Sequence, residues 1–240
     1  MLVLAIDTTS EHGGAALFCD AECLAQELSR SAEGYSVTLF EMVDRLIAAA
    51  GQRGTPIRGL ADIDLYGVAN GPGSFTGIRV GLAAVQAWSR AFGRPAFGVS
   101  VLEAMVDEAH PETNLAVPIL DARRSEIYRG VFRRSSAGNN AFVAEGDGEI
   151  LRPEDLFASL APLVRSSASI TCVAREHDRL AAGLRQSALP PIKWQTISGP
   201  LLAAITRQAL AAHSSGKTVS PSELDACYIR RTDAELHWKG

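Results

Sequence analysis

Cysteine and histidine are too sparse and too scattered in this chain to build a metal centre. Among 240 residues the only thiols are Cys19, Cys23, Cys172 and Cys227, and the five histidines are His12, His110, His177, His213 and His237. Cys19 and Cys23 form a C-x3-C with no second pair to complete a tetrahedral zinc site, and no two histidines lie three to five residues apart. The expected metal complement is none, with reduced thiols in a cytosolic protein. Nucleophile signatures are missing as well: there is no G-x-S-x-G elbow, and the glycines from Gly71 to Gly77 lack the lysine of a G-x4-G-K-[ST] loop. Charge of one sign is not in excess. Lys plus Arg total 23 against 27 Asp plus Glu, a net charge of -4, so nothing draws the whole molecule to nucleic acid or to an anionic membrane. Met1 runs straight into Leu-Val-Leu-Ala-Ile-Asp, without a basic n-region, a cleavage site or an apolar run of bilayer length. The expectation is a soluble cytoplasmic protein with no membrane partner.

Hydrophobic residues make up 47% of the chain, enough for one large domain or two lobes of about a hundred residues each. Leu2 to Asp7 reads as a buried strand, Gly14 to Phe18 and Cys23 to Leu28 as a hairpin pair, and Ser36 to Ala50 as a helix that Gly51 stops. A strand from Ile63 to Ala69, a helix from Phe75 to Phe92, a strand from Pro95 to Ser100 and a helix over 101–110 follow. A second round reads as strands Leu115 to Leu120 and Glu126 to Arg133, a hairpin tip at Ser135 to Asn140, a helix at Pro153 to Leu160, a strand at Ile170 to Ala174 and a helix at Leu201 to His213. Strands mixed with crossover helices predict an α/β fold. The halves rhyme, each with a strand ending in aspartate (Asp7, Asp121), a polar turn and a further strand. Two lobes of similar build are expected, with a seam near residue 100 and the C-terminal helix returning to the first lobe: the first over residues 1–100 plus about 215–240, the second over 101–214.

The run Asn70-Gly71-Pro72-Gly73-Ser74-Phe75-Thr76-Gly77-Ile78-Arg79-Val80-Gly81 stands between a strand and a helix. Helix N-termini carry N–H groups with no partner inside the helix, so this turn can cradle a phosphate. It can equally be a tight connection in which Gly71 and Gly73 supply unusual backbone angles and Ser74 caps the helix. Asp7, Thr8 and Thr9, with Ser10, close the first strand at its carboxyl end, where open α/β sheets bind ligands. A polar Asx or ST turn explains the same residues. Asp121, Arg123, Glu126 and Tyr128 either orient a substrate or form a solvated turn.

The two long helices carry more apolar surface than one stripe requires. Val37, Leu39, Phe40, Met42, Val43, Leu46 and Ile47 lie on the first. On the second, Gly77, Gly81 and Ala84 stand near one face beside Val80, Leu82, Val85 and Trp88. Small residues four apart let another helix approach closely, so the pair fits half of a four-helix interface. Packing on the lobe's own sheet is the other reading.

In order along the chain, M-L-V-L-A-I-D-T-T, N-G-P-G-S-F-T-G-I-R-V-G-L at 70–82, G-V-S-V-L-E-A-M at 98–105, L-D-A-R-R-S-E-I-Y at 120–128 and Y-I-R-R at 228–231 resemble the TsaB (YeaZ) family. These are bacterial tRNA threonylcarbamoyladenosine biosynthesis proteins of the glycoprotease-like (M22) superfamily. The resemblance spans nearly the whole chain. It implies two actin-like (ASKHA, ribonuclease H-like) lobes, each a mixed sheet flanked by helices, and no catalysis by this chain alone, since the H-x3-H of the catalytic paralogue TsaD is absent. It further implies pairing with TsaD as a heterodimer, a ternary complex with the ATPase TsaE, and a functional link to TsaC-type threonylcarbamoyl-adenylate synthases. The product is the N6-threonylcarbamoyladenosine at position 37 of tRNAs reading codons that begin with A. Transfer RNA is met through the complex, and the chain alone forms a homodimer. No cofactor is expected to bind tightly, with ATP or ADP entering only in the TsaD/TsaE complex. The implied partner interface draws on Val37, Phe40, Met42, Val43, Ile47, Phe75, Ile78, Val80, Gly81 and Val85. Asp7, Thr8, Thr9, Gly71, Gly73 and Ser74 would be a vestigial nucleotide or phosphate loop.

One departure stands out: Tyr35-Ser36 occupies the place where the family usually has His-Ser, so no histidine-dependent role is expected there. Two rival functions are an actin-like ATP-dependent kinase, which lacks a second Gly-Gly phosphate loop late in the chain, and a metal-independent peptidase, which lacks a nucleophile–base set. Arg123, Arg124, Arg133 and Arg134 either touch tRNA or solvate a hairpin.

Overall fold

The computed structural model describes residues 1–28, 34–54, 56–136, 141–166, 169–176, 178, 183–184, 186 and 192–229. The chain divides into two units, one of Met1–Ala104 with Gly199–Cys227, the other of Met105–Ser198 with the chain end.

The first unit is built on a five-stranded sheet in the order β3-β2-β1-β4-β5, with β1 Leu2–Asp7, β2 Gly14–Cys19, β3 Glu22–Leu28, β4 Leu65–Gly71 and β5 Ala96–Ser100. β1 to β3 form an antiparallel meander, whereas β4 and β5 run parallel to β1. β1 is apolar without alternation because both of its faces are covered. Leu4 and Ile6 join the core beneath α1 (Tyr35–Gln52) and α2 (Phe75–Phe92). On the opposite face lies α5 (Leu202–Ser214): a Cβ added to Gly67 would stand 3.0 Å from Ile205 and 3.2 Å from Ala209. That contact moves α5 from the expected second lobe to the first, since Leu202, Ile205 and Ala209 have their apolar partners on this sheet. The boundary therefore falls after Ala104 and before Gly199 rather than at 100 and 215.

The second unit repeats the plan. Its sheet runs β10-β7-β6-β11-β12, with β8 beside β6 and β9 beside β8; the strands are β6 Leu115–Arg123, β7 Glu126–Arg129, β8 Phe132–Arg134, β9 Phe142–Ala144, β10 Glu149–Leu151, β11 Ile170–Arg175 and β12 Ile192–Ile197. Again a central strand ending in an aspartate-bearing segment has antiparallel neighbours on one side and parallel ones on the other. Leu156 and Leu160 of α4 (Leu156–Ser166) cover Leu115, Val117, Ile119, Ile127 and Cys172. The remaining helix, α3 (Val101–Ala109), follows β5 directly. These two mixed sheets flanked by helices are the α/β class read from the sequence.

Several local expectations change. The segment Glu126 to Arg133 is two strands broken at Gly130-Val131, because β7 pairs with β6 and β10 while β8 pairs with a different stretch of β6 and with β9. β6 continues through Asp121 to Arg123, so the polar turn shrinks to Arg124-Ser125. Gly51 does not stop α1, which runs on to Gln52. Strands β9, β10 and β12 are short or half-exposed and lacked a clear period. The tip at 137–140 and the Arg230-Arg231 end of Y-I-R-R lie outside the described residues.

Candidate functional site

α2 begins at Phe75 because Ser74 caps it: the Gly77 N–H donates to the Ser74 hydroxyl at 3.3 Å and the Ile78 N–H to the Ser74 carbonyl at 2.8 Å. It ends at Gly93, whose φ of 63° is the left-handed conformation that closes helices. The turn after β1 is pressed against this N-terminus. Thr8 Oγ1 donates to the Gly77 carbonyl at 2.7 Å, and the Ser74 N–H donates to the Thr9 carbonyl at 2.7 Å. Asp7 is fully buried and accepts from the Thr9 N–H at 3.0 Å and the Thr9 hydroxyl at 2.5 Å. The glycines permit close approach. A Cβ would come within 2.6 Å of the Thr9 carbonyl oxygen at Gly73, 1.9 Å of the Thr8 carbonyl oxygen at Gly77 and 2.4 Å of Thr8 Oγ1 at Gly81. Gly71 does need a glycine angle, with φ of 122°, and lies against the Cys227 carbonyl.

The expected loop residues are thus brought together, and they brace one another. Anything seated on the Gly73–Gly77 side would displace the Thr8-Thr9 backbone. Tyr35 completes the brace from α1, its hydroxyl donating to the Ser10 carbonyl at 2.8 Å. A strap from the chain's later part crosses the same turn: the Cys227 N–H reaches the Asn70 carbonyl at 2.8 Å, the Asn70 amide the Asp225 carbonyl at 3.1 Å, and the Gln86 amide the Leu224 carbonyl at 2.7 Å. Sequence reading missed this strap; only the polar Asn70 ahead of Gly71 hinted at it. Among the described residues no group of three or more His, Cys, Asp and Glu is arranged to hold a metal, and no helix is long and apolar enough to cross a membrane.

The expected partner surface separates into three sets. Met42, Val43, Ile78, Gly81 and Val85 are buried in their own unit, so they correct the expectation: they pack on β1, β4 and each other, and Gly81 admits Thr8 and Val68 rather than a foreign helix. Ile47 and Val80 are half-buried at the edge of that core. Val37, Phe40 and Phe75 are different, with 59%, 56% and 45% of their surface exposed. Phe40 meets Trp88 edge-on at 5.5 Å, tying α1 to α2, and the Arg79 guanidinium lies 3.7 Å over the Phe75 ring. The helix pair therefore presents aromatic and β-branched side chains outward from a rigid base.

In the second unit Tyr128 is buried, Asp121 Oδ1 accepts from the Arg123 N–H at 2.6 Å, and Asp178 accepts from the Asp121 N–H at 2.8 Å. Arg133 pairs with Glu145, and Arg134 donates to the Pro111 and Thr113 carbonyls and lies over the Phe142 ring. Burial pushes the Cys172 thiol up to about 12 against the opposing pull of Arg129.

Comparison with known proteins gives this geometry a context. A family model described as "TsaD: tRNA N6-adenosine threonylcarbamoyltransferase" matches residues 29–148, half of the chain. The "tRNA threonylcarbamoyladenosine biosynthesis protein TsaB" of Bacillus subtilis is 33% identical over 135 residues, covering 55% of this chain and 56% of its own length. Its Escherichia coli counterpart is 31% identical over 156 residues, 64% of each. The chain thus spans between half and two thirds of the length of these curated relatives. The solved structure of YeaZ from Pseudomonas aeruginosa superposes with a TM-score of 0.73 at 23% identity, over 95% of this chain and 99% of that one, a likeness of fold.

Proposed function

The chain belongs to the TsaD family, among its TsaB relatives, and on that premise we propose that it is a non-catalytic subunit of the tRNA threonylcarbamoyladenosine machinery. In this reading it binds a TsaD-type subunit through the exposed side of α1 and α2 and activates that subunit for threonylcarbamoyl transfer to adenosine 37. The observation that carries it is the outward trio Val37, Phe40 and Phe75 on a helix pair whose other large apolar residues lie mostly in the core, with Ile47 and Val80 at its edge and Phe92 exposed at the end of α2. Aromatic anchors on a rigid base are what interface centres use.

The interlocked turns supply the rigidity: Thr8, Thr9 and Ser74 fix where α2 begins, and Tyr35 fixes α1 against the same turn. The chemistry of transfer belongs to the partner. ATP or ADP enters with TsaD and TsaE, and without them the chain pairs with itself. The test is a cell lacking this chain's gene, complemented with the wild type or with Val37→Glu/Phe40→Glu. Wild type should copurify with the TsaD-type subunit and restore the modified nucleoside; the double variant should be folded, unbound and inactive. A folded double variant that restores modification in full would refute the reading.

A further inference from the structure

The hairpin joining β6 to β7 carries backbone strain that its sequence does little to relieve. Arg123, Arg124 and Ser125 all have positive φ, at 63°, 55° and 59°. Arg123 pairs with Glu126 across the turn, so Arg124 and Ser125 are the two central residues of a hairpin loop that favours Asn-Gly. Each non-glycine residue held there costs about 1 kcal/mol or more, and such costs persist where the site has work to do.

The turn borders an open cavity of about 370 Å³ lined by Arg124, Ser125, Glu126, Arg152, Pro153 and Glu154. Arg152 is brought to it by the β7–β10 pairing, in which Leu151 lies opposite Ile127. It is exposed, and its guanidinium makes no hydrogen bond or ion pair among the described residues. Glu126 and Glu154 share the rim. Two guanidiniums and two carboxylates at one opening are a poor trap for a bare anion. They match a ligand that alternates phosphates with hydrogen-bond donors, as an RNA strand does with its phosphodiesters and 2′-hydroxyls.

We propose that this cavity is an RNA-backbone subsite of the second unit, Arg124 and Arg152 holding phosphates and Glu126 and Glu154 accepting from ribose 2′-hydroxyls. The proposal rests on the tRNA-directed function proposed above and places one contact with the substrate on this chain itself.

The test uses the full chain and a labelled, unmodified transcript of a tRNA reading a codon that begins with A. Affinity is followed by anisotropy from 50 to 200 mM salt. The central variant is Arg124→Gly, which removes the guanidinium while relieving the left-handed strain. It should melt at or above the wild-type temperature yet bind tRNA more weakly. Arg124→Gly/Arg152→Gln should lower the slope of log affinity against log salt by about two, one per lost phosphate contact. Glu154→Ala should narrow the preference for an RNA stem-loop over its DNA counterpart. No tRNA binding by the wild type at low salt, or a double variant with unaltered affinity and slope, overturns the subsite. Formation of the modified nucleoside, measured in parallel with the TsaD-type partner, keeps the two ideas apart. Modification supported by wild type and double variant, with tRNA affinity and salt slope unaltered in the variant, sinks the subsite and leaves the function standing. Variant-sensitive tRNA binding by a chain that supports no modification does the reverse.

Discussion

Gly77→Ala is the substitution through which the bracing of the two turns can be measured. The added methyl would stand 1.9 Å from the Thr8 carbonyl oxygen and 3.0 Å from its carbonyl carbon. Both atoms are backbone, so no rotamer change makes room, and a carbon–oxygen contact wants roughly 3.3 Å. The turn must retreat by more than an ångström. That stretches the Thr8 Oγ1–Gly77 and Ser74–Thr9 hydrogen bonds, each now 2.7 Å. Overpacking costs about 1–3 kcal/mol and a buried polar group left unpaired another 1–3. The expected loss is about 2–6 kcal/mol, a large share of the roughly 5–15 that keeps a domain folded. Gly51→Ala is the matched control. The same methyl there meets only the Ile57 carbonyl, at 3.7 Å, within the last turn of α1, and helix propensity predicts a gain of up to about 1 kcal/mol. Urea denaturation followed by far-UV circular dichroism and by tryptophan fluorescence reads the difference in midpoint. A Gly77→Ala protein as stable as wild type would refute the bracing, and so would one whose loss merely equalled any shift at Gly51.

Further outcomes follow from the same packing. Phe40 is 56% exposed, so about 100 Å² of its ring awaits a partner. At about 25 cal/mol per Å², Phe40→Ala should weaken binding to the TsaD-type subunit by about 2.5 kcal/mol, or roughly sixtyfold by calorimetry. Met42→Ala, one turn-face away and buried, should instead cost about 2–5 kcal/mol of stability in urea. Tyr35→Phe removes the hydroxyl bound to the Ser10 carbonyl and should lower stability by about 1 kcal/mol, measured the same way. The Cys172 thiol has its pKa raised in the folded state from 9.0 to about 12 by burial. Its neutral form therefore stabilises the fold below pH 9, and that contribution declines as pH rises from about 9 to 12, by about 1.4 kcal/mol per pH unit. Cys172→Val should flatten that alkaline loss in melting curves taken across the range, and an unaltered slope would show the thiol is not the group responsible.

Much of the architecture was legible because it repeats local signals. β1 reads as buried from its unbroken apolar run, Ser74 as a cap from its place ahead of a helical period, and the strands carrying Asp7 and Asp121 as equivalent positions in like-ordered sheets, although β6 runs on to Arg123. The helix pair was legible as a surplus of apolar side chains. Its division was not: Val80, Val85 and Val37 are alike as letters, yet one is half-buried, one lies in the core and one faces out.

What the chain determined by itself were its α/β class, the paired lobes and the principal strands and helices, since those follow from periodicity and capping, properties of neighbouring residues. Only tertiary structure decided three things: that the glycine-rich turn is closed by Thr8 and Thr9, that the helix returning to the first sheet is α5, and that Val37, Phe40 and Phe75 alone of the candidate surface stay largely exposed. Each depends on the close approach of segments distant along the chain (Thr8 and Gly77 are 69 positions apart), and no local pattern encodes which remote backbone will fill a given space.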